Sequence, residues 1–414
     1  MEDQQTARPK VLLSCYACEP DCGSEPGVGW NWVMVMAEDF DVVVLTRSNN
    51  RTVIEQALQG GAVKSLSFMY YDLPDWVMKL KKKGVINATT YYLIWQMGVK
   101  KMMGKTIDDY AIVHHMTFNM FLCPGYWRPQ KAKLILGPLG GGSCVAKPYL
   151  PLFGGKAWLQ KIRAAIVSHW KWMPYLKGTL DRASTILCAN EDTYHLLNRA
   201  YPSKCKIHLE TGIYPPSNMM IRETHNDTFE FIQIGGIEAR KGWRLSLMAA
   251  AQLKEKSGVA PFKLRFVGTG PEYEKAKHLA QELGVNDLVC FHGKKPLAET
   301  LRILEKSDAL LFPSVRDTSG NVVLEAMSRS IPVICLDHQG AKEMTNARCA
   351  IQIPVSEISE TVNALADAMH ILLNDRELGP SMGGQGVKRI KENFTWAAKR
   401  LFMGDVYRGI IQRG

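Results

Sequence analysis

Ser314–Glu325 reads S-V-R-D-T-S-G-N-V-V-L-E, and its reading organises the rest of the 414-residue chain. It follows the apolar run Ala309–Phe312, which Pro313 closes, as expected of a buried strand. A polar loop with Gly320 comes next. Val322, Val323, Leu324, Ala326 and Met327 then predict a helix, and Pro332 opens a further strand over Val333–Leu336. Strand, loop, helix, strand is the α/β repeat, whose loops after parallel strands bind ligands. Gly320 lets backbone approach a ligand, and Gly320, Asn321 and Val322 offer N–H groups to an anion at the helix start. Asp317 and Glu325 lie eight residues apart at the ends of this unit, placed to accept hydrogen bonds from sugar or ribose hydroxyls.

Working outward, the same logic recurs. Val11–Ser14 predicts a first strand, followed by the glycine-bearing turn Cys18–Gly29 and a helix from about Trp30 to Glu38. Gly27 and Gly29 are candidates for cradling a diphosphate, although the spacing is not that of a dinucleotide fingerprint. Ile112–Phe118 ends in His114 and His115, which face opposite sides of an extended strand, so only one can meet a ligand. His115 is preferred and His114 is the alternate. Leu134–Gly142 is a strand that opens into three glycines, and Gly140 and Gly141 are read as an acceptor-side loop. Pro215, Pro216 and the polar run to Thr228 mark a linker. Beyond it, Phe231–Ile234 leads into G-G-I-E-A-R-K-G, where Arg240 and Lys241 suit a phosphate. Phe262–Val267 leads into G-T-G-P-E, with Gly268 and Gly270.

Taken in order, these motifs resemble the retaining family 4 glycosyltransferases of the GT-B fold. The acidic loop is similar to that family's donor-binding E-x7-E motif, with Asp317 in place of the first Glu. Lys241-Gly242 matches the family's K-G, while Gly236 stands where an Arg is usual. Gly340 and Glu343 fit a further motif in which Ala341 replaces a glycine. The resemblance implies an α/β protein of two Rossmann-like domains facing each other across a cleft. The acceptor domain is 1–212, the linker 213–228 and the nucleotide-sugar domain 229–393, with a helix over 394–414 crossing back to the first domain. It implies catalytic roles for His115, Lys241 and Asp317. It also implies donor contacts from Gly27, Gly29, Arg240, Gly268, Gly270, Gly320, Asn321, Val322 and Glu325. The reaction would move a hexose-type sugar from a nucleotide diphosphate to a glycan or lipid-linked acceptor in envelope or exopolysaccharide synthesis. No metal and no other cofactor is expected.

Composition narrows the setting. Apolar content of 46% and charged content of 22% suit a globular enzyme, and a net charge of +11 suits anionic partners. Lysines interleave with Trp76, Tyr91, Tyr92 and Trp95 over 75–105, and basic residues with Trp158, Trp170 and Trp172 over 156–182. Both stretches predict contact with an anionic membrane surface. Ten cysteines without framework spacing and a polar start predict a cytoplasmic protein, peripheral on the inner face of the membrane. No helix-turn-helix, zinc module or RNP-type strand supports nucleic acid as a partner. Two rival readings keep the same fold: a catalytically weakened scaffold, suggested by Gly236 and Asp317, and a nucleotide-sugar epimerase.

Overall fold

The computed structural model describes residues 8–61, 63–118, 120–216, 228–256 and 260–413. They fall into two units: Met1–Gly142 with Val167–Glu210 and Trp396–Gly414, and Ser143–Ile166 with Thr211–Thr395.

The first unit is built on β1 (Lys10–Ser14), β2 (Asp41–Thr46), β3 (Leu66–Tyr70), β4 (Ile112–His115), β5 (Lys133–Leu139), β6 (Ala183–Cys188) and β7 (Cys205–Ile207). All pair in parallel, in the order β3-β2-β1-β4-β5-β6-β7. The central strands are apolar on both faces, as a sheet covered by helices on each side requires; Val11, Leu12, Leu13, Ile112 and Val113 are fully buried. The terminal helix Trp396–Gln412 packs on the helix Ser24–Met36, with Trp32 and Trp396 edge to face at 5.5 Å and Phe40 against Tyr407 at 5.1 Å. Arg400 grips Asp39 through Nε at 2.8 Å and Nη2 at 2.7 Å. The chain end thus returns to the first sheet, as anticipated.

The second unit holds β8 (Phe229–Ile234), β9 (Phe262–Val267), β10 (Val289–Phe291), β11 (Ala309–Phe312), β12 (Val333–Leu336) and β13 (Ala350–Ile353), again all parallel, in the order β10-β9-β8-β11-β12-β13. Strand order reverses at β8 and β11, which makes this pair the switch point where α/β sheets bind ligands.

Three expectations change. Residues 143–166 belong with the second unit, not the first. Tyr149 and Leu152 are buried in that unit's core, and the Tyr149 hydroxyl lies 3.0 Å from Thr361 Oγ1. The helix after β1 begins at Ser24, so Gly27 and Gly29 sit inside it rather than in a phosphate-cradling turn. A Cβ on Gly29 would lie 2.1 Å from the Ala17 carbonyl oxygen, so this glycine serves helix–loop packing. Of the linker, Ile213 forms a bridge with Thr395, and 217–227 lie outside the described residues.

Candidate active site

The turns after β8 and β11 meet at the switch point. Past Ile234 the chain turns through Gly235 and the short helix Ala239–Lys241 to Gly242. Gly242 has a φ of 68°, and a Cβ there would fall 1.9 Å from the Pro313 carbonyl oxygen, so only glycine lets this turn lie against the end of β11. The Lys241 carbonyl accepts from Gln233 Nε2 at 2.9 Å, and Ser246 Oγ donates to Gln233 Oε1 at 2.6 Å. These bonds fix the backbone from which the Lys241 ammonium reaches Asp317. The two side chains form an ion pair, with Lys241 Nζ also 5.6 Å from the centre of the Phe312 ring. Arg240 joins them: Nη2 is 2.6 Å from Glu238 Oε1 and Nη1 is 3.9 Å from Asp317 Oδ2.

The loop after β11 is pinned from several sides. Val315 and Arg316 N–H groups donate to the Arg240 carbonyl at 2.9 and 3.2 Å, and the Asp317 N–H donates to Gln339 Oε1 at 2.7 Å. Gly320, at φ 75°, lies against the Phe312 ring, where a Cβ would come within 2.5 Å of Cζ. The helix Asn321–Met327 starts there and carries Glu325 on its second turn. The Glu325 carboxylate makes no hydrogen bond or ion pair among the described residues. Burial pushes its pKa up, opposed by the Arg329 charge. A largely desolvated carboxylate without donors is suited to accept hydrogen bonds from ligand hydroxyls.

Gly268 and Gly270 lie beside this turn but have a packing reason of their own. A Cβ on either would come within 2.4 Å of a carbonyl oxygen in the turn after β8, that of Gly235 or Ile237. Gly140 bridges to Met120, and the Phe121 N–H donates to its carbonyl at 2.9 Å, so it is strand-like rather than a free loop; Gly141 follows at φ 85°.

The histidines depart from expectation. They do face opposite sides of β4, yet both are fully buried. His114 Nε2 donates to the Gly137 carbonyl and Nδ1 accepts from the Tyr407 hydroxyl, each at 2.6 Å. His115 Nε2 is 2.9 Å from the Tyr92 hydroxyl, and its Nδ1 is 3.4 Å from Ser14 Oγ. Burial lowers their pKa values to about 4 and about 3, so both rings are neutral at pH 7. His115 is thus a core hydrogen-bonding group here, not a group presented to substrate. Glu25 accepts from the Phe118 N–H and ties the first helix to the loop after β4.

The basic aromatic stretches divide. Tyr91, Tyr92, Trp95 and Trp170 are core residues, which removes them from any membrane surface. Trp76, Trp158 and Trp172 are exposed, and the helix Ala157–Ser168 presents Trp158, Leu159, Ile162 and Ile166 on one outward stripe. Among the described residues no helix is long and apolar enough to cross a membrane, and no group of three His, Cys, Asp or Glu side chains could hold a metal.

Comparison with known proteins adds an independent line. Residues 218–389 match the family model "Glycosyl transferases group 1". WcaL of Salmonella typhimurium, a glycosyltransferase named for colanic acid biosynthesis, is 31% identical over 192 residues, 43% of this chain and 46% of that protein. D-inositol 3-phosphate glycosyltransferase of Corynebacterium glutamicum is 27% identical over 183 residues, 43% of each chain. The chain thus spans half or less of these curated relatives. The similarity in structure is longer. Sucrose-phosphate synthase of Thermosynechococcus elongatus covers 98% of this chain and 100% of its own, with a TM-score of 0.65 at 19% identity. WaaG, involved in lipopolysaccharide biosynthesis, covers 96% and 100% at 0.60 and 16%. Anabaena HepE, solved with UDP and glucose, covers 97% and 100% at 0.58 and 14%. These likenesses establish the fold, two Rossmann-like units of the GT-B kind.

Proposed function

We propose, from the premise that residues 218–389 belong to the group 1 glycosyl transferases, that this protein transfers a hexose-type sugar from a nucleotide diphosphate donor to a glycan or lipid-linked acceptor, with retention at the anomeric carbon. The observation that carries the reading is the Lys241–Asp317 ion pair at the β8/β11 switch point, with the unpartnered Glu325 carboxylate on the helix that follows the same loop.

In this reading Lys241, with Arg240 beside it, neutralises the departing diphosphate. Charge develops on the leaving group as the anomeric C–O bond breaks, and stabilising that charge is the main electrostatic task. The acceptor oxygen forms the new bond to the same carbon, and its proton passes to a phosphate oxygen of the leaving group. Asp317 holds the sugar and Glu325 the ribose. Asp317 is paired with Lys241, so the donor meets an ammonium oriented by a carboxylate. Polysaccharide or lipopolysaccharide synthesis is the setting that the relatives' names support. The outward stripe on the helix Ala157–Ser168, flanked by Lys156 and Lys161, is the surface we assign to an anionic membrane, in place of the buried tyrosines of 75–105.

The test is a melting-temperature panel of UDP, GDP, ADP and dTDP and their sugars, without added metal. A donor that binds the folded state raises the midpoint by mass action. One base class should give the shift, and Glu325→Ala should weaken that nucleotide about tenfold, as expected for loss of hydrogen bonds to a charged group. A well-folded protein that ignores the whole panel favours the weakened-scaffold reading, for which Gly236 is the supporting observation.

A further inference from the structure

Gln339 holds a backbone conformation that its side chain does not favour. Its φ is 54°, in the left-handed region that glycine adopts freely and glutamine rarely does. It is buried, at the first position of the helix Gln339–Met344 that follows β12. Strain of this kind persists where the surroundings over-determine a residue, and it collects at ligand clamps. Here two backbone partners impose it. Gln339 Oε1 accepts from the Asp317 N–H at 2.7 Å, and Nε2 donates to the Cys144 carbonyl at 3.2 Å. Both ends of the amide are therefore engaged, one by the loop after β11 and the other by the start of the 143–166 segment.

The residues on either side of Gln339 meet the same loop. His338 Nε2 donates to the Ser314 carbonyl at 2.8 Å. A Cβ on Gly340 would lie 2.3 Å from the Thr318 carbonyl oxygen and 2.5 Å from Ser319 Cα, so the helix start is pressed against this stretch of backbone. Three successive residues thus touch the loop at Ser314, Asp317 and Thr318. The far end of the helix is fixed as well. Arg389 donates through Nε to the Met344 carbonyl at 2.7 Å and through Nη2 to the Glu343 carbonyl at 2.9 Å. These bonds satisfy carbonyls of the last turn and keep the helix from sliding along the loop.

We propose that Gln339 is a positioning residue: its amide, kept in a left-handed turn, fixes the backbone at Asp317 and so sets where the Asp317 carboxylate stands beside Lys241. Under the functional reading above, on which this inference rests, Asp317 meets the donor sugar, and Gln339 acts only through Asp317. A glycine at this position would relax the turn but leave the Asp317 N–H without its acceptor. The strain at residue 339 accompanies an amide that supports the site from behind.

The first test needs no ligand. Hydrogen exchange on the full chain, read at the Asp317 amide, should be at least about tenfold faster in Gln339→Gly, the range for one lost hydrogen bond. The amides of β11 should keep their wild-type protection. Gln339→Gly should melt above Gln339→Ala, since glycine relieves the strain and alanine keeps it. Unchanged exchange at Asp317 overturns the proposal, and so does an alanine variant that melts above the glycine variant. The second test repeats the panel of UDP, GDP, ADP and dTDP and their sugars on Gln339→Gly. The sugar nucleotide should lose at least about tenfold in affinity while its parent diphosphate keeps the wild-type value. A general structural lesion weakens both alike, so an equal loss for both, or no loss for either, overturns the positioning role. A wild type that ignores the whole panel removes the glycosyl-transfer reading, and the exchange at Asp317 then decides the clamp by itself. Should Gln339→Gly fail to fold, Gln339→Met, which keeps the volume and drops the amide, takes its place in both tests.

Discussion

The two units share one topology, a parallel sheet whose order reverses beside its first strand, yet their switch points are finished differently. At β1/β4 the histidines, Thr117 and Glu25 are engaged within the chain. His114 bridges Gly137 and Tyr407, His115 meets Tyr92, Thr117 accepts from the Ala17 N–H at 3.0 Å, and Glu25 caps the loop after β4. At β8/β11 the charged groups are only partly matched. Lys241 and Asp317 pair, but among the described residues Arg316 meets no carboxylate and Glu325 no donor. Groups already engaged within the chain work as scaffold, whereas charged groups left unmatched can gain from a ligand that supplies their partners.

The strongest way to break this comparison is Lys241→Ala. Losing a cation aimed at the leaving group should lower turnover by about 10²–10³-fold, with only a modest change in melting temperature. Full turnover would move the neutralising role to Arg240 or Arg316. Next in size is Gly29→Ala. The new Cβ must push against the Ala17 carbonyl, costing about 1–3 kcal/mol of stability in a urea titration while leaving nucleotide affinity unchanged. Lost affinity without lost stability would return the first helix to a phosphate role. The smallest effect is in pH. The folded pKa values of His114 and His115, about 4 and about 3, lie below the ordinary 6.5, so the unfolded chain binds more protons below about pH 6.5. Their contribution is complete above that pH and is lost as pH falls toward 4 and then 3. The melting temperature should decline through that window, and His114→Gln should flatten part of the decline. A melting temperature that stays level down to pH 4 would mean that these rings are not sealed.

Much of the second unit was legible because its signals are local. Ala309–Phe312, Phe262–Val267 and Val333–Leu336 are strands at the predicted bounds, since short apolar runs closed by Pro or Gly carry their own punctuation. Lys241-Gly242 and Asp317 stand out through their resemblance to the family's motifs. Their ion pair does not, because it joins residues 76 apart. The early glycines misled for a similar reason. A glycine that admits a ligand and a glycine that admits a neighbouring carbonyl look alike in sequence, and only the contact distance separates them.

The sequence by itself determined the α/β alternation and the strands around the second switch point, because each follows from the period and punctuation of adjacent residues; the return of the last helix was implied by the family resemblance. The tertiary structure alone decided which histidines are sealed, that 143–166 joins the second unit, and that Arg316 meets no carboxylate among the described residues. Each of these depends on residues far apart in the chain, such as Tyr149 and Thr361 at a separation of 212, and on whether burial leaves a polar group with a partner.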